Sequence, residues 1–259
     1  MNRPASRAGQ GAATIGSTLG GALSALSAAP GQVAHLFRHR FPTVAVTGMT
    51  GIGKTRLVDR LARRSTAEVD DAGSAVMERR TRRTSKGRGF RFRVVPGDNA
   101  ASRLSALDEV FHEEPVDGVL HVVAYGHATP RRTGGTSGAA TATRDELLAA
   151  ELEDWAITAH RIAGMAVRRG QPVWLIIVVT KADLFPDGIE EAVSYYSPGS
   201  GSAFGKKIDE LRALAGGAHI SIDVLPMSVP TGGGTGLRKR SDDQLAALER
   251  RMAQLSGHV

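Results

Sequence analysis

The chain has 259 residues, 41% of them hydrophobic and 23% charged, which suits a folded domain with a sizeable core and excludes wholesale disorder. It has no cysteine, so disulfides, zinc–thiolate sites, iron–sulfur clusters and thiol nucleophiles are excluded. Lys and Arg exceed Asp and Glu by 33 to 26, a net charge of +7 that favours an anionic partner, while 5% aromatic residues argue against a single-strand nucleic-acid binder built on stacking.

Residues 1–41 read as an N-terminal helical extension. Ile15, Leu19, Leu23, Leu26, Val33 and Leu36 recur near one helix face, interrupted at Pro30. The stretch 11–29 is rich in Ala, Gly and Ser, too polar and interrupted for a membrane span and too poor in Leu for a typical export signal. The helix packs on its own domain or docks on a membrane surface or partner. From residue 42 to 259, strand-like and helix-like segments alternate, which predicts an α/β domain with a mainly parallel sheet. Strands are expected at 43–47, 117–124, 173–179 and 219–227, and a hairpin at 74–84 and 89–95. Helices are expected at 54–64, 99–112, 203–215 and 241–255. A further helix starts at the capping box Thr143/Glu146 and stops at Gly170, with Leu148, Leu152, Trp155, Ile162 and Met165 as its apolar stripe. Residues 126–142 form a long Gly/Thr/Ala-rich loop.

Gly48-Met49-Thr50-Gly51-Ile52-Gly53-Lys54-Thr55 fits the phosphate-binding pattern GxxxxGK[ST] at every fixed position, between a strand and a helix. Glycines let backbone N–H groups converge on phosphate oxygens, and the helix N-terminus adds positive potential. Lys54 reaches the β- and γ-phosphates, and the Thr55 hydroxyl ligates Mg²⁺. The pattern points to a nucleoside triphosphate.

Downstream, the most apolar run of the chain ends in Thr180-Lys181-Ala182-Asp183. With the phosphate loop, these residues resemble the Ras-like GTPase family of P-loop proteins, whose fourth motif is [NT]KxD at the end of a buried strand. The resemblance covers roughly residues 42–257 and implies a three-layer fold. Its sheet would have six mainly parallel strands, one antiparallel edge strand, and helices on both faces. It implies that Asp183 accepts hydrogen bonds from guanine and that Lys181 lies along the base. Thr180 stands where Asn is commoner; dynamin-like GTPases tolerate this, since a hydroxyl still ties the motif to the phosphate loop.

The remaining family motifs are degenerate. Val94-Val95-Pro96-Gly97 stands 40 residues after Lys54, where the family carries DxxG. Gly97 would contact the γ-phosphate, but the Mg²⁺-supporting Asp is Val94. Asp98 occupies the place of the water-orienting Gln; alternatively it recruits Mg²⁺-bound water from a shifted loop. The spacing selects Ser74 as the second-motif hydroxyl on Mg²⁺, with Thr81 and Thr84 as rivals. Ser228 and Val229 match the fifth motif, whose backbone touches guanine O6. The Ala-, Gly- and Arg-rich composition points to a bacterial source. The resemblance implies a cytoplasmic protein, peripheral at a membrane in one version, that binds GTP and GDP with Mg²⁺. It would hydrolyse GTP slowly and switch through loops 66–84 and 97–104 toward a protein partner. The alternatives are a GTP-binding scaffold that does not hydrolyse, and a P-loop ATPase.

Three features stand apart. Arg79, Arg80, Arg82, Arg83, Lys86, Arg88, Arg91 and Arg93 crowd the predicted hairpin, as a solvated face or as a surface for acidic lipid, protein or nucleic acid. No specific nucleic acid is indicated. Arg131 and Arg132 sit in the long loop, solvated or as an arginine finger in cis. His121 lies within a strand and reads as a core histidine, whereas His35 and His39 lack acidic neighbours and read as a basic patch.

Overall fold

The computed structural model describes residues 41–62, 77–83, 89–97, 100–128, 142–230 and 234–257. The expected N-terminal helix, with His35 and His39, lies outside these residues, as do Ser74, Thr84, Lys86, Arg88, Asp98, Arg131 and Arg132.

Six strands form one sheet: β1 (Thr43–Thr47), β2 (Glu78–Arg83), β3 (Gly89–Val94), β4 (Gly118–Val123), β5 (Val173–Val179) and β6 (Ile220–Pro226). Their spatial order is β2-β3-β1-β4-β5-β6, parallel throughout except for the antiparallel β2–β3 pair at one edge. The helices are α1 (Lys54–Leu61), α2 (Ala100–Asp108), α3 (Arg144–Arg169), α4 (Ile189–Tyr195), α5 (Ala203–Ala215) and α6 (Thr235–Leu255). This is the three-layer α/β architecture predicted for a P-loop NTPase.

The period-two alternation of the strands separates two cores. Val44, Val46, Leu120, Val122, Ile176 and Val178 pack with Leu57 and Leu61 of α1 and Leu248 and Met252 of α6. Ala45, Val119, Val123, Leu175, Ile177 and Val179 face the other way, against Leu107 of α2, Trp155, Ile162 and Met165 of α3, and Phe204 and Ile208 of α5. All seven residues of β5 are buried, which explains its unbroken apolar run. Burying each such side chain contributes on the order of 1.5–3 kcal/mol.

Local signals hold at α3. Glu146 N–H donates to Thr143 Oγ1 at 3.3 Å, and Thr143 N–H donates back to Glu146 Oε2 at 2.7 Å. Gly170 ends the helix in the left-handed region at φ 60°. Elsewhere the boundaries shift. α6 begins at Thr235, six residues before the predicted start, because its first turns are exposed and carry no apolar period. α2 runs into a π-helical turn, Glu109–Glu113, that buries the adjacent Val110 and Phe111 together. The turns Ala182–Leu184 and Pro186–Gly188 and the helix α4 occupy a segment with no periodic signal.

Much of the basic hairpin is neutralised within the domain. Arg79 pairs with Glu109 at 2.8 Å, and Arg80 with Glu78 at 2.8 Å and Asp59 at 3.3 Å. Arg82 reaches Glu249 at 3.4 Å, and Arg93 pairs with Glu114 and, at 3.9 Å, with Glu109. Arg91 lies over the Phe41 ring, 5.7 Å from its centroid. No described helix is long and apolar enough to cross a membrane.

Candidate functional site

In an open parallel sheet, the crevice lies at the carboxyl ends of the strands where the winding reverses. Here the chain leaves β1 for β3 on one side and reaches β4 on the other, so the reversal falls at the end of β1. The phosphate-loop sequence starts there. Gly48 has φ 125°, and a Cβ on it would stand 2.3 Å from the Val122 carbonyl oxygen of β4, so only glycine lets the loop leave the sheet. Gly53 precedes α1 without a side-chain cap, and the first turn of α1 carries no acidic residue, so the positive end of the helix is unopposed from within. The first turn also bears Thr55.

Lys54 is 8% exposed and folds back along the loop, its Nζ donating to the carbonyl oxygens of Gly48 at 2.7 Å and Met49 at 2.8 Å. The segment after β3 arrives on the same spot. A Cβ on Gly97 would lie 2.5 Å from Thr50 Oγ1 and 2.9 Å from Lys54 Nζ, so Gly97 touches the loop through its backbone. Val94, three residues earlier, is 4% exposed and belongs to the apolar core.

The fourth motif closes on the other end of the loop. Thr180 Oγ1 stands 2.7 Å from the Ile52 carbonyl oxygen and 2.8 Å from that of Val123, sharing its proton between them. Lys181, left-handed at φ 57°, donates from Nζ to the carbonyl oxygens of Gly51 at 2.9 Å and His127 at 2.7 Å. Burial, reinforced by Arg56, holds its ammonium below the usual lysine range, while Asp183 and Glu151 oppose that shift. Asp183 sits half-buried in the turn that follows. Ala182 N–H donates to the Met227 carbonyl oxygen at 3.2 Å, which brings the loop after β6 alongside. In that loop the Ser228 N–H donates to Gln244 Oε1 at 2.8 Å, and its carbonyl oxygen accepts from Ser241 Oγ at 2.6 Å. Of the Ser228–Val229 pair, Val229 is therefore the candidate donor to a ligand.

Sequence reasoning missed the wall of this end. The His127 ring stacks on Phe185 at 5.0 Å and 18°, and burial, with Arg144 and Lys181 nearby, lowers its pKa. Position was the available signal: His127 follows a strand whose carboxyl end had to border the crevice. His121 is instead a core residue, 1% exposed, with Nδ1 3.0 Å from Thr47 Oγ1.

The arrangement offers backbone N–H groups and an ammonium to an anion at one end, and a carboxylate beside a lysine stem to a planar polar group at the other. Toward a metal ion the described residues offer the Thr55 hydroxyl but, with Val94 in the core, no third-motif carboxylate. No cluster of three His, Asp or Glu suited to a metal occurs among the described residues. The described part of the site does not by itself assemble a metal centre.

No family model matches the sequence, and no curated protein is significantly similar to it. Among solved structures, a dimerization-deficient mutant of Toc33 from Arabidopsis thaliana is similar at 14% identity and a TM-score of 0.47, over 87% of this chain and 88% of its own. Two mutation variants of SsGBP are similar at 16% and 15% identity, with TM-scores of 0.42 and 0.41, over 93% and 95% of this chain. The matches cover 66% and 65% of those proteins' length.

Proposed function

We propose that the chain binds GTP and hydrolyses it slowly to GDP and phosphate, acting as a nucleotide-dependent switch. One observation carries the reading: Thr180 and Lys181 hydrogen-bond Ile52 and Gly51, so the segment bearing Asp183 is tied directly to the phosphate loop. A nucleotide spanning the two would place its phosphates at residues 48–55 and its base at Asp183. Adenine lacks the adjacent N1–H and exocyclic amine of guanine that a carboxylate accepts.

In this reading Lys54 exchanges the carbonyl oxygens of Gly48 and Met49 for the β- and γ-phosphates, and the Gly97 N–H meets the γ-phosphate. Mg²⁺ on those phosphates would meet the chain at Thr55, with Ser74 as its second hydroxyl. Residues 42–259 form the nucleotide-binding domain and residues 1–41 an extension. The segments 66–84 and 97–104, read as loops from the sequence but containing β2 and the start of α2, would face a protein partner in a cytoplasmic, bacterial setting. With four of its arginines in ion pairs within the domain, the basic hairpin is a weaker candidate than the extension for contact with an acidic surface.

Val94 in the core leaves no carboxylate at that position, and an Asp at 98 is short and repels the γ-phosphate. Intrinsic hydrolysis should then be no faster than unstimulated Ras-like turnover, on the order of 10⁻⁴ to 10⁻³ per second. The same burial of Val94 favours a second reading, a GTP-bound scaffold that does not turn over. Binding of GTP, GDP and ATP to the purified chain, followed by single-turnover hydrolysis, decides among them. Equal binding of ATP removes the guanine reading, no turnover selects the scaffold, and turnover near 1 per second without a partner overturns slow hydrolysis.

A further inference from the structure

Glu151, in the third turn of α3, is 1% exposed. A carboxylate so deeply buried is tolerated only when its oxygens are fully engaged. Three donors meet this one. Ala124 N–H at 3.0 Å and Gly126 N–H at 3.3 Å donate to Oε1, and the Tyr196 hydroxyl donates to Oε2.

Both sets of donors border the Lys181–Asp183 segment. Residues 124–127 form the turn after β4, in which Tyr125 at φ 51° and Gly126 at φ 74° are consecutive left-handed residues. Tyrosine adopts that conformation only at a cost, so the turn needs support from outside itself. The alternate N–H groups of Ala124 and Gly126 converge in this turn on one point, and Glu151 supplies the acceptor there from within the protein. The next carbonyl oxygen, that of His127, accepts from Lys181 Nζ, and the His127 ring stacks on Phe185, two residues past Asp183. Tyr196 directly follows α4, the helix that continues from the same segment. The Tyr125 hydroxyl donates to Glu191 Oε1 of α4 at 2.7 Å, linking the two sides again.

We propose that Glu151 is a positioning residue for nucleobase recognition: without touching the ligand, it clamps the turn 124–127 and Tyr196 so that Lys181 and Asp183 stand in register before a base arrives. This rests on the guanine reading above and adds to it the group that organises the base end. The clamp acts first at that end: Lys181 also reaches Gly51, but the phosphate loop is held besides by Thr180 through Ile52, by its own glycines, and by β1 and α1.

The test measures GTP and ATP affinity for the full chain and for Glu151→Gln, Glu151→Ala and Tyr196→Phe, with amide hydrogen exchange on the same proteins. Glutamine keeps an oxygen for the two N–H groups and turns its amide toward the tyrosine oxygen. It should hold the GTP-over-ATP ratio within about threefold of the parent. Alanine should lower that ratio by about tenfold or more while ATP affinity, set by the phosphate loop, stays within about twofold. Exchange should rise most at 124–127 and 181–185, and less at 48–55, which Thr180 also holds through Ile52. Tyr196→Phe, which keeps the carboxylate and both N–H bonds, should fall between the parent and Glu151→Ala. If Glu151→Ala does not fold, Tyr196→Phe decides by the same ratio.

A GTP-selective parent whose folded variants keep its ratio overturns the clamp. So does equal loss of both nucleotides with exchange rising everywhere, the mark of a purely structural residue. A parent that does not prefer GTP overturns the guanine reading instead. The clamp then stands if exchange rises at 124–127 and 181–185 more than at 48–55, and falls if their protection is unchanged.

Discussion

Thr180 and Ile52 are 128 residues apart in sequence, yet the hydroxyl of one lies 2.7 Å from the carbonyl oxygen of the other. This bond joins the end of β5 to the phosphate loop at the end of β1, across β4. Two strand ends are thereby kept at one spacing, which a ligand touching both requires.

Thr180→Val keeps the shape and removes the bond, leaving two buried carbonyl oxygens without the hydroxyl. The expected result is guanine-nucleotide affinity weakened about tenfold, with about 1–2 kcal/mol lost from stability. Thr180→Asn retains a donor and should bind like the parent. Calorimetric titration with GDP checks both, and parental affinity in Thr180→Val would show that the bond does not organise the site.

Lys54→Ala removes an ammonium that is 8% exposed and bonded to loop carbonyl oxygens. Since its carbonyl partners at Gly48 and Met49 are backbone groups of the loop, unfolding free energy should change by less than about 1 kcal/mol. Affinity for nucleoside triphosphates should fall at least a hundredfold, because the ammonium matches the β- and γ-phosphate charge. Thermal melts with and without GTP give both quantities; a folded variant with parental GTP affinity would move the site elsewhere.

Asp183→Asn replaces a two-oxygen acceptor with a group that both donates and accepts. GTP should bind at least tenfold more weakly, and xanthosine triphosphate, whose C2 carbonyl needs a donor, should bind more tightly than to the parent. Competition titrations with the two nucleotides measure the exchange of preference. A variant that still prefers guanine would free Asp183 from base recognition.

His121 makes acid stability a local property. Burial, with Arg103 and Lys54 adding to it, lowers its pKa from 6.5 to about 3, so the folded protein holds it neutral while the unfolded chain protonates it. A pKa depressed on folding gives stability that is complete above about pH 6.5 and is lost as pH falls toward 3. The slope is about 1.4 kcal/mol per pH unit below pH 6. Urea unfolding from pH 4 to 8 should show that slope in the parent and a shallower one in His121→Gln. Parallel slopes would mean that His121 does not govern the transition.

By itself the sequence determined what depends on neighbours along the chain. Apolar runs marked β1 and β5, and alternation of Phe90, Phe92 and Val94 with Arg91 and Arg93 marked β3. Thr143 and Glu146 closed a capping box, Gly170 ended α3, and the glycines of residues 48–53 allowed a loop that only glycine can make. These outcomes follow from backbone sterics and short-range hydrogen bonds, which residue types within a few positions decide. Only the tertiary structure decided which charges are spent. Arg79, Arg80, Arg82 and Arg93 read alike as a basic run, and the packing of helices and turns against the sheet set them against Glu109, Asp59, Glu249 and Glu114. It likewise decided that Glu151, one acid among several on α3, is buried under the turn 124–127, and that His127 meets both Lys181 and Phe185. Burial and pairing across 21 residues or more depend on which elements the sheet brings together, and no local pattern encodes that.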